Sequence, residues 1–170
     1  MTTDKPIIFI GYDSKEDIAY RVCKQSLNRT SSKELDIRSL KLYELVAKNF
    51  YTRGVDPLAS TEFTYSRFLI PALMNFKGWA IYFDGDMVCL SDVKDLIRNF
   101  DTNKAVSVIK HDYKTKNSVK YFGQKNEDYP RKNWSSVIIW NCEHPKNKIL
   151  TPDFIESMDG AFLHRFKWLD

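Results

Sequence analysis

The stretch Trp79-Ala-Ile-Tyr-Phe-Asp-Gly-Asp-Met-Val-Cys-Leu90 constrains the fold of this chain more than any other. Trp79 to Phe83 runs without a polar interruption. A short continuous run rich in β-branched and aromatic side chains predicts a strand buried on both faces, which needs a covering layer on each side. The run stops at Asp84-Gly85-Asp86, and a second apolar run, Met87 to Leu90, follows. Side chains at i and i+2 of an extended backbone point the same way, so Asp84 and Asp86 share a side. Gly85 removes the side chain between them and permits a turn. Carboxylates held this close repel each other, and one takes a raised pKa unless a cation lies between them. Mg²⁺ or Mn²⁺, which favour oxygen ligands, would resolve the repulsion. The end of a buried strand is also where open α/β sheets place their ligands. At this level a tight Asp-Gly turn joining two strands remains the alternative.

A chain of 170 residues predicts one domain, 1–170, with a core of useful size. No apolar run approaches the roughly 18 to 20 residues of a membrane-spanning helix, so no transmembrane segment is expected. The N-terminus leads from Met1 to Pro6 straight into a strand-like run, without the apolar core of a secretory leader. Cys23, Cys89 and Cys142 are far apart and set in apolar segments, which predicts reduced, mostly buried thiols and a cytoplasmic setting. The net charge of +4 is mild and its basic residues are dispersed. That suits an anionic small molecule and predicts no nucleic-acid partner.

Ile7 to Ile10 predicts a first buried strand, closed by Gly11-Tyr12-Asp13-Ser14. Ile18, Ala19, Val22, Cys23 and Leu27 then fall near helical spacing over Glu16 to Leu27, with Ser14 as the expected N-cap. Strand, polar turn and helix open a nucleotide-binding α/β unit, yet no Gly-x-Gly-x-x-Gly and no phosphate-binding loop is present. Tyr12 offers a ring on which a base can stack and Asp13 an acceptor for its imide N–H; as ordinary loop residues they would need neither role. A second strand is expected over Leu35 to Leu42, a short helix over Tyr43 to Asn49 and a loop over Phe50 to Ala59. A further helix starts at Ser60-Thr61-Glu62 and is kinked or ended by Pro71. Arg67, inside this aromatic helix, either snorkels to water or pairs with an anion.

Ser91-Asp92 is the expected cap of a helix over Val93 to Phe100, and Ala105 to Ile109 predicts a strand. Lys110 to Lys132 is polar, lysine-rich and dotted with tyrosines, the composition of a long lid-like loop. Asn133-Trp134-Ser135-Ser136 opens a strand over Val137 to Trp140, which ends at Asn141, and Thr151-Pro152 begins the last helix.

These blocks, in order, resemble a glycosyltransferase of the GT-A fold, closest to the family of glycogenin and the bacterial lipopolysaccharide galactosyltransferases. Thr64-Tyr65-Ser66-Arg67-Phe68 is similar to that family's Thr-Tyr-x-Arg-Leu. Ile81-Tyr82-Phe83-Asp84-Gly85-Asp86 looks like its Tyr-Leu-Asp-x-Asp, and Asn133 to Asn141 resembles its Asn-Ser-Gly-Val strand. The resemblance implies a three-layer α/β/α nucleotide-diphospho-sugar transferase fold with a mainly parallel twisted sheet. It further implies transfer of a sugar from a nucleotide-sugar donor, most often a UDP-sugar, to an acceptor the sequence does not name. Asp86 and Asp84 would hold Mn²⁺ or Mg²⁺ against the diphosphate. Tyr12, Asp13, Arg67, Asp84 and Gly85 would lie on the donor, and Ser135 and Ser136 on the sugar and acceptor side. The family's C-terminal histidine followed by Gly and Lys has no counterpart, so a C-terminally truncated or a minimal version is expected. His111, His144 and His164 do not align with that ligand and read as structural histidines.

Two rival functions fit parts of the pattern. A nucleotide-sugar-binding domain without catalysis would keep the fold and the carboxylates. A haloacid-dehalogenase-type phosphatase would use Asp84 as nucleophile and Asp86 as general acid, but its motif closes the first strand of its domain, whereas here two strands precede it.

Overall fold

The computed structural model describes residues 6–54, 56, 59–98, 100–111 and 130–170. Most of the lysine-rich segment expected as a lid, 112–129, lies outside the described residues.

The chain runs β1 (Ile7–Gly11), α1 (Asp17–Thr30), β2 (Ile37–Leu40), α2 (Leu42–Ala47), α3 (Ile70–Leu73), β3 (Trp79–Phe83), α4 (Lys94–Ile97), β4 (Val106–Val108), β5 (Val137–Asn141), α5 (Pro152–Ser157) and α6 (Gly160–His164), with short 3-10 turns between. The five strands form one sheet in the order β2-β1-β3-β5-β4. β1 is parallel to β2 and to β3, while β5 runs antiparallel to both of its neighbours. Four strands therefore share a direction and β5 opposes them. The central strand is the apolar run that ends at Asp84.

That run is buried on both faces, as its composition requires. Ala80 and Tyr82 enter one core with Phe9, Ile138 and Trp140, under α2, α3, α5 and α6. Ile81 and Phe83 enter the other with Ile8, Ile10, Val137 and Ile139, under α1 and α4. The alternation of successive side chains across the sheet divides each strand between the two cores. Each large side chain so buried contributes about 1.5–3 kcal/mol against its exposed state. The result is a three-layer α/β/α domain.

Several elements differ from the sequence expectation. Asp13, not Ser14, caps the turn before α1: its carboxylate accepts from the Lys15 amide. The second strand is only Ile37–Leu40, and α4 only Lys94–Ile97. The helix expected from Ser60 is a 3-10 turn, Ser66–Leu69, running into the short α3. Pro71 sits in the first turn of α3, where its missing N–H costs nothing. α5 is not the last helix, because α6 follows with Asp159 accepting from the Phe162 amide as its cap. All three cysteines are free.

Candidate functional site

The site forms where the strand order reverses. From β1 the chain passes through α1 to β2 on one side, then crosses back to β3 on the other. The crevice outside the carboxyl ends of two such diverging parallel strands is the usual ligand position in open α/β sheets. Ile10 pairs with Phe83, so the segments after them, from Gly11 at the end of β1 to Glu16 and from Asp84 to Asp86, run side by side. Each loop leaves room only for glycine at one position. A Cβ on Gly85 would collide with the Gly11 carbonyl oxygen, and one on Gly11 would meet the Tyr82 hydroxyl and the Phe63 ring at 2.7 Å. Asp84 to Asp86 is a turn, but Met87 to Leu90 forms no strand, so it does not close a hairpin.

Helix α1 holds this turn from below. The Cys23 thiol lies 3.8 Å from the Asp84 carbonyl oxygen, and the Ser26 hydroxyl accepts from the Cys89 amide at 2.9 Å. On the other side the Asp84 amide donates to the Ser136 carbonyl at 2.9 Å, because antiparallel β5 begins where β3 ends.

Asp84 is largely enclosed, and its Oδ1 is 2.7 Å from Arg67 Nη1. The Tyr82 hydroxyl donates to the same oxygen at 2.7 Å. Burial pushes the Asp84 carboxyl above its ordinary range, with Asp86 adding to the push; the Arg67 guanidinium and hydrogen bonds from Tyr82 and Ser136 oppose it. Burial also holds the Tyr82 hydroxyl well above its usual range, so it stays a donor.

Arg67 does not snorkel. It is 5% exposed. Its Nε donates to the Phe63 carbonyl at 3.1 Å and its Nη1 to the Ser135 carbonyl at 2.9 Å. The guanidinium also lies over the Phe63 and Tyr82 rings, at 5.3 and 5.1 Å from their centroids. Nη2 makes no hydrogen bond among the described residues, and Arg67 reaches the wall of the cleft.

That cleft, about 640 Å³, brings together Asp13, Lys15, Glu16, Arg67, Asp84 and Asp86. Asp13 is spent on structure: one oxygen accepts from Lys15 and the other from the Glu62 amide at 3.1 Å, fixing the loop opposite. Asp86 is exposed, and no hydrogen bond or ion pair among the described residues engages it. Gly85 is buried beneath it. Tyr12 packs on the α1 side, outside the cleft lining: its hydroxyl donates to Asp17 at 3.2 Å and Lys41 lies 5.2 Å from its ring centroid. Ser135 is buried, with its hydroxyl 2.7 Å from His164 Nδ1. Ser136 is half-buried beside Asp84. His144 Nδ1 caps a turn through the Lys146 amide, and His111 is exposed.

The sequence reading did not single out Tyr82, although a lone tyrosine two positions before Asp84 on the same strand face was a usable signal. Lys15 and Glu16 carry no such signal, since nothing in a helix start marks it as a cleft wall.

No protein-family model matches the chain. The Arabidopsis thaliana "Protein CDI" is 45% identical over 163 residues, which are 96% of this chain and 63% of that protein. The chain thus spans less than two thirds of the relative's length. Among solved structures, the WbbM bifunctional glycosyltransferase in its apo form matches with a TM-score of 0.63 at 15% identity, over 95% of this chain and 37% of that one. The glycosyltransferase GlyE of Streptococcus pneumoniae TIGR4 matches with a TM-score of 0.58 at 14% identity, over 97% of this chain and 43% of that one. The fold is a GT-A-like glycosyltransferase fold. Among the described residues no helix is long and apolar enough to cross a membrane.

Proposed function

We propose that this cleft binds a nucleoside-diphosphate sugar, with a UDP-sugar as the first choice, and that the domain transfers the sugar to an acceptor. The observation that carries the reading is the contrast between the two carboxylates at the switch point of a glycosyltransferase fold. Asp84 is largely enclosed and paired with Arg67, while Asp86, two residues on, faces the cleft unengaged by any described residue.

The residues present fit a hard divalent cation, Mg²⁺ or Mn²⁺. Four carboxylates, Asp13, Glu16, Asp84 and Asp86, line the cleft against two cations, Lys15 and Arg67. A diphosphate would meet net negative charge there without a metal. Mg²⁺ takes one or two protein carboxylates and fills its remaining positions with water and phosphate oxygens. Asp86, assisted by the Asp84 carboxylate that Arg67, Tyr82 and Ser136 hold in place, supplies such a set. When bound, the cation offsets the charge that gathers on the departing diphosphate as the sugar–phosphate bond breaks.

The chain's own residues do the rest. Arg67 keeps two N–H groups on Nη2 for a donor oxygen, at an angle fixed by its bonds to Phe63, Ser135 and Asp84. Tyr82 holds Asp84 in place. Ser136, half-buried beside Asp84, is assigned to the sugar side of the donor. A non-catalytic donor-binding domain is the second reading: among the described residues no third His, Cys, Asp or Glu joins the two carboxylates.

Incubation of the purified chain with a panel of UDP- and GDP-sugars and Mn²⁺ separates the two, with released nucleoside diphosphate as the readout. We expect release from one class of donor, and a loss of about a hundredfold in Asp86→Asn. Donor binding without release from any of them would select the non-catalytic reading.

A further inference from the structure

His164 belongs to α6, remote in sequence from the acidic turn, and no role in the cleft follows from the donor reading. Its ring nevertheless joins the two segments that aim Arg67. Nε2 lies 3.1 Å from the Thr64 carbonyl oxygen and Nδ1 2.7 Å from the Ser135 hydroxyl. A carbonyl oxygen only accepts, so Nε2 carries the hydrogen, and in the neutral ring Nδ1 accepts from Ser135. The neighbours of these two contacts hold the guanidinium: the Phe63 carbonyl, one residue before Thr64, takes Arg67 Nε, and the Ser135 carbonyl takes Nη1. The ring itself stands edge-on against Phe68, with centroids 5.1 Å apart.

We propose that His164 is a positioning residue of the cleft, fixing the spacing between the Thr64 and Ser135 segments so that Arg67 presents one edge to Asp84 and the other to the donor. This rests on the donor reading for its purpose but not for its test. A side chain that only filled space would need no polar atom at either end. Here an acceptor and a donor on one rigid ring meet partners from separate parts of the chain. The distance they set is the distance across which Arg67 is stretched.

The test reads Arg67 directly. Hydrogen exchange at Arg67 Nε–H, followed by NMR, reports how firmly the guanidinium is held, with the buried backbone amides of Ile8 and Tyr82 as the internal reference. In His164→Ala we expect Arg67 Nε–H to exchange about tenfold faster while the reference amides hold. His164→Gln, which presents one donor and one acceptor at similar separation, should recover most of that protection. Ser135→Ala removes a single hydroxyl and leaves the ring packed on Phe68, and it should move Arg67 in the same direction. The affinity for uridine diphosphate with Mn²⁺ should fall about tenfold in both alanine variants. Unchanged Arg67 exchange in Ser135→Ala and His164→Ala overturns the proposal. So does faster exchange of Arg67 and the reference amides together with no recovery in His164→Gln, which would make His164 a packing residue. If the wild type shows no affinity for uridine diphosphate, the donor reading fails, while the exchange data still decide the role of His164.

Discussion

Asp84 and Arg67 illustrate how much a single buried charge depends on its neighbour. Removing one partner leaves the other ionised in a poor environment, a loss of about 3–5 kcal/mol for buried pairs. Arg67→Met should therefore destabilise the fold by roughly that amount at neutral pH. The loss has a pH signature. Burial already raises Asp84, and without the guanidinium its folded pKa rises further above the unfolded value. A group raised in the folded state adds stability below its unfolded pKa and forfeits it as pH climbs through the folded pKa. The deficit of Arg67→Met should thus be largest at pH 8 and shrink towards pH 5, as measured by urea unfolding at both. A deficit independent of pH would mean that Asp84 is not the group left stranded. The choice between a snorkelling and a paired Arg67 was open in the sequence for a physical reason. Two of its three partners are backbone carbonyls, Phe63 and Ser135, and every residue type carries one.

At the scale of elements, what is legible follows from side-chain periodicity, and what is hidden follows from connectivity. β1, β3 and β5 are continuous apolar runs, and their lengths were readable within a residue. The direction of β5 was not, because alternation is the same whichever way a strand runs. α6 was missed because Met158-Asp159-Gly160 looks like an ending, and a five-residue helix shows barely one turn of periodicity. Gly85 was legible as a turn residue, but the reason it must be glycine is a neighbour from β1. Gly85→Ala would drive a methyl group into the Gly11 carbonyl oxygen. Backbone there has little room to move, so the cost should be about 1–3 kcal/mol, with the acidic turn displaced. Gly54→Ala is the control, since an added Cβ there meets nothing within 4 Å. It should be neutral or slightly stabilising through the unfolded chain. Equal thermal midpoints for the two variants would refute the close approach of the two loops.

For the whole molecule, the sheet order decides where chemistry can happen. With β1 between β2 and β3, the chain leaves β1 towards one side and returns to β3 on the other, which opens a crevice at the carboxyl ends of these two strands. Asp84 and Asp86 are placed there by the sequence pattern, since a buried strand running into paired carboxylates has few other homes, whereas Arg67 is placed there only by the resemblance. The backing of that crevice by α6 was beyond sequence, because it joins residues 64, 135 and 164 through side-chain and carbonyl contacts. In the proposed function Asp86 faces a cation that a diphosphate needs. Calorimetric titration of uridine diphosphate into the wild type and Asp86→Asn, each with and without Mn²⁺, tests it most directly. Asp86 is exposed, so Asp86→Asn should fold with unchanged stability. We expect Mn²⁺ to tighten binding to the wild type by at least about tenfold and to make little difference to Asp86→Asn. Equal affinity for the wild type with and without Mn²⁺ would contradict the claim.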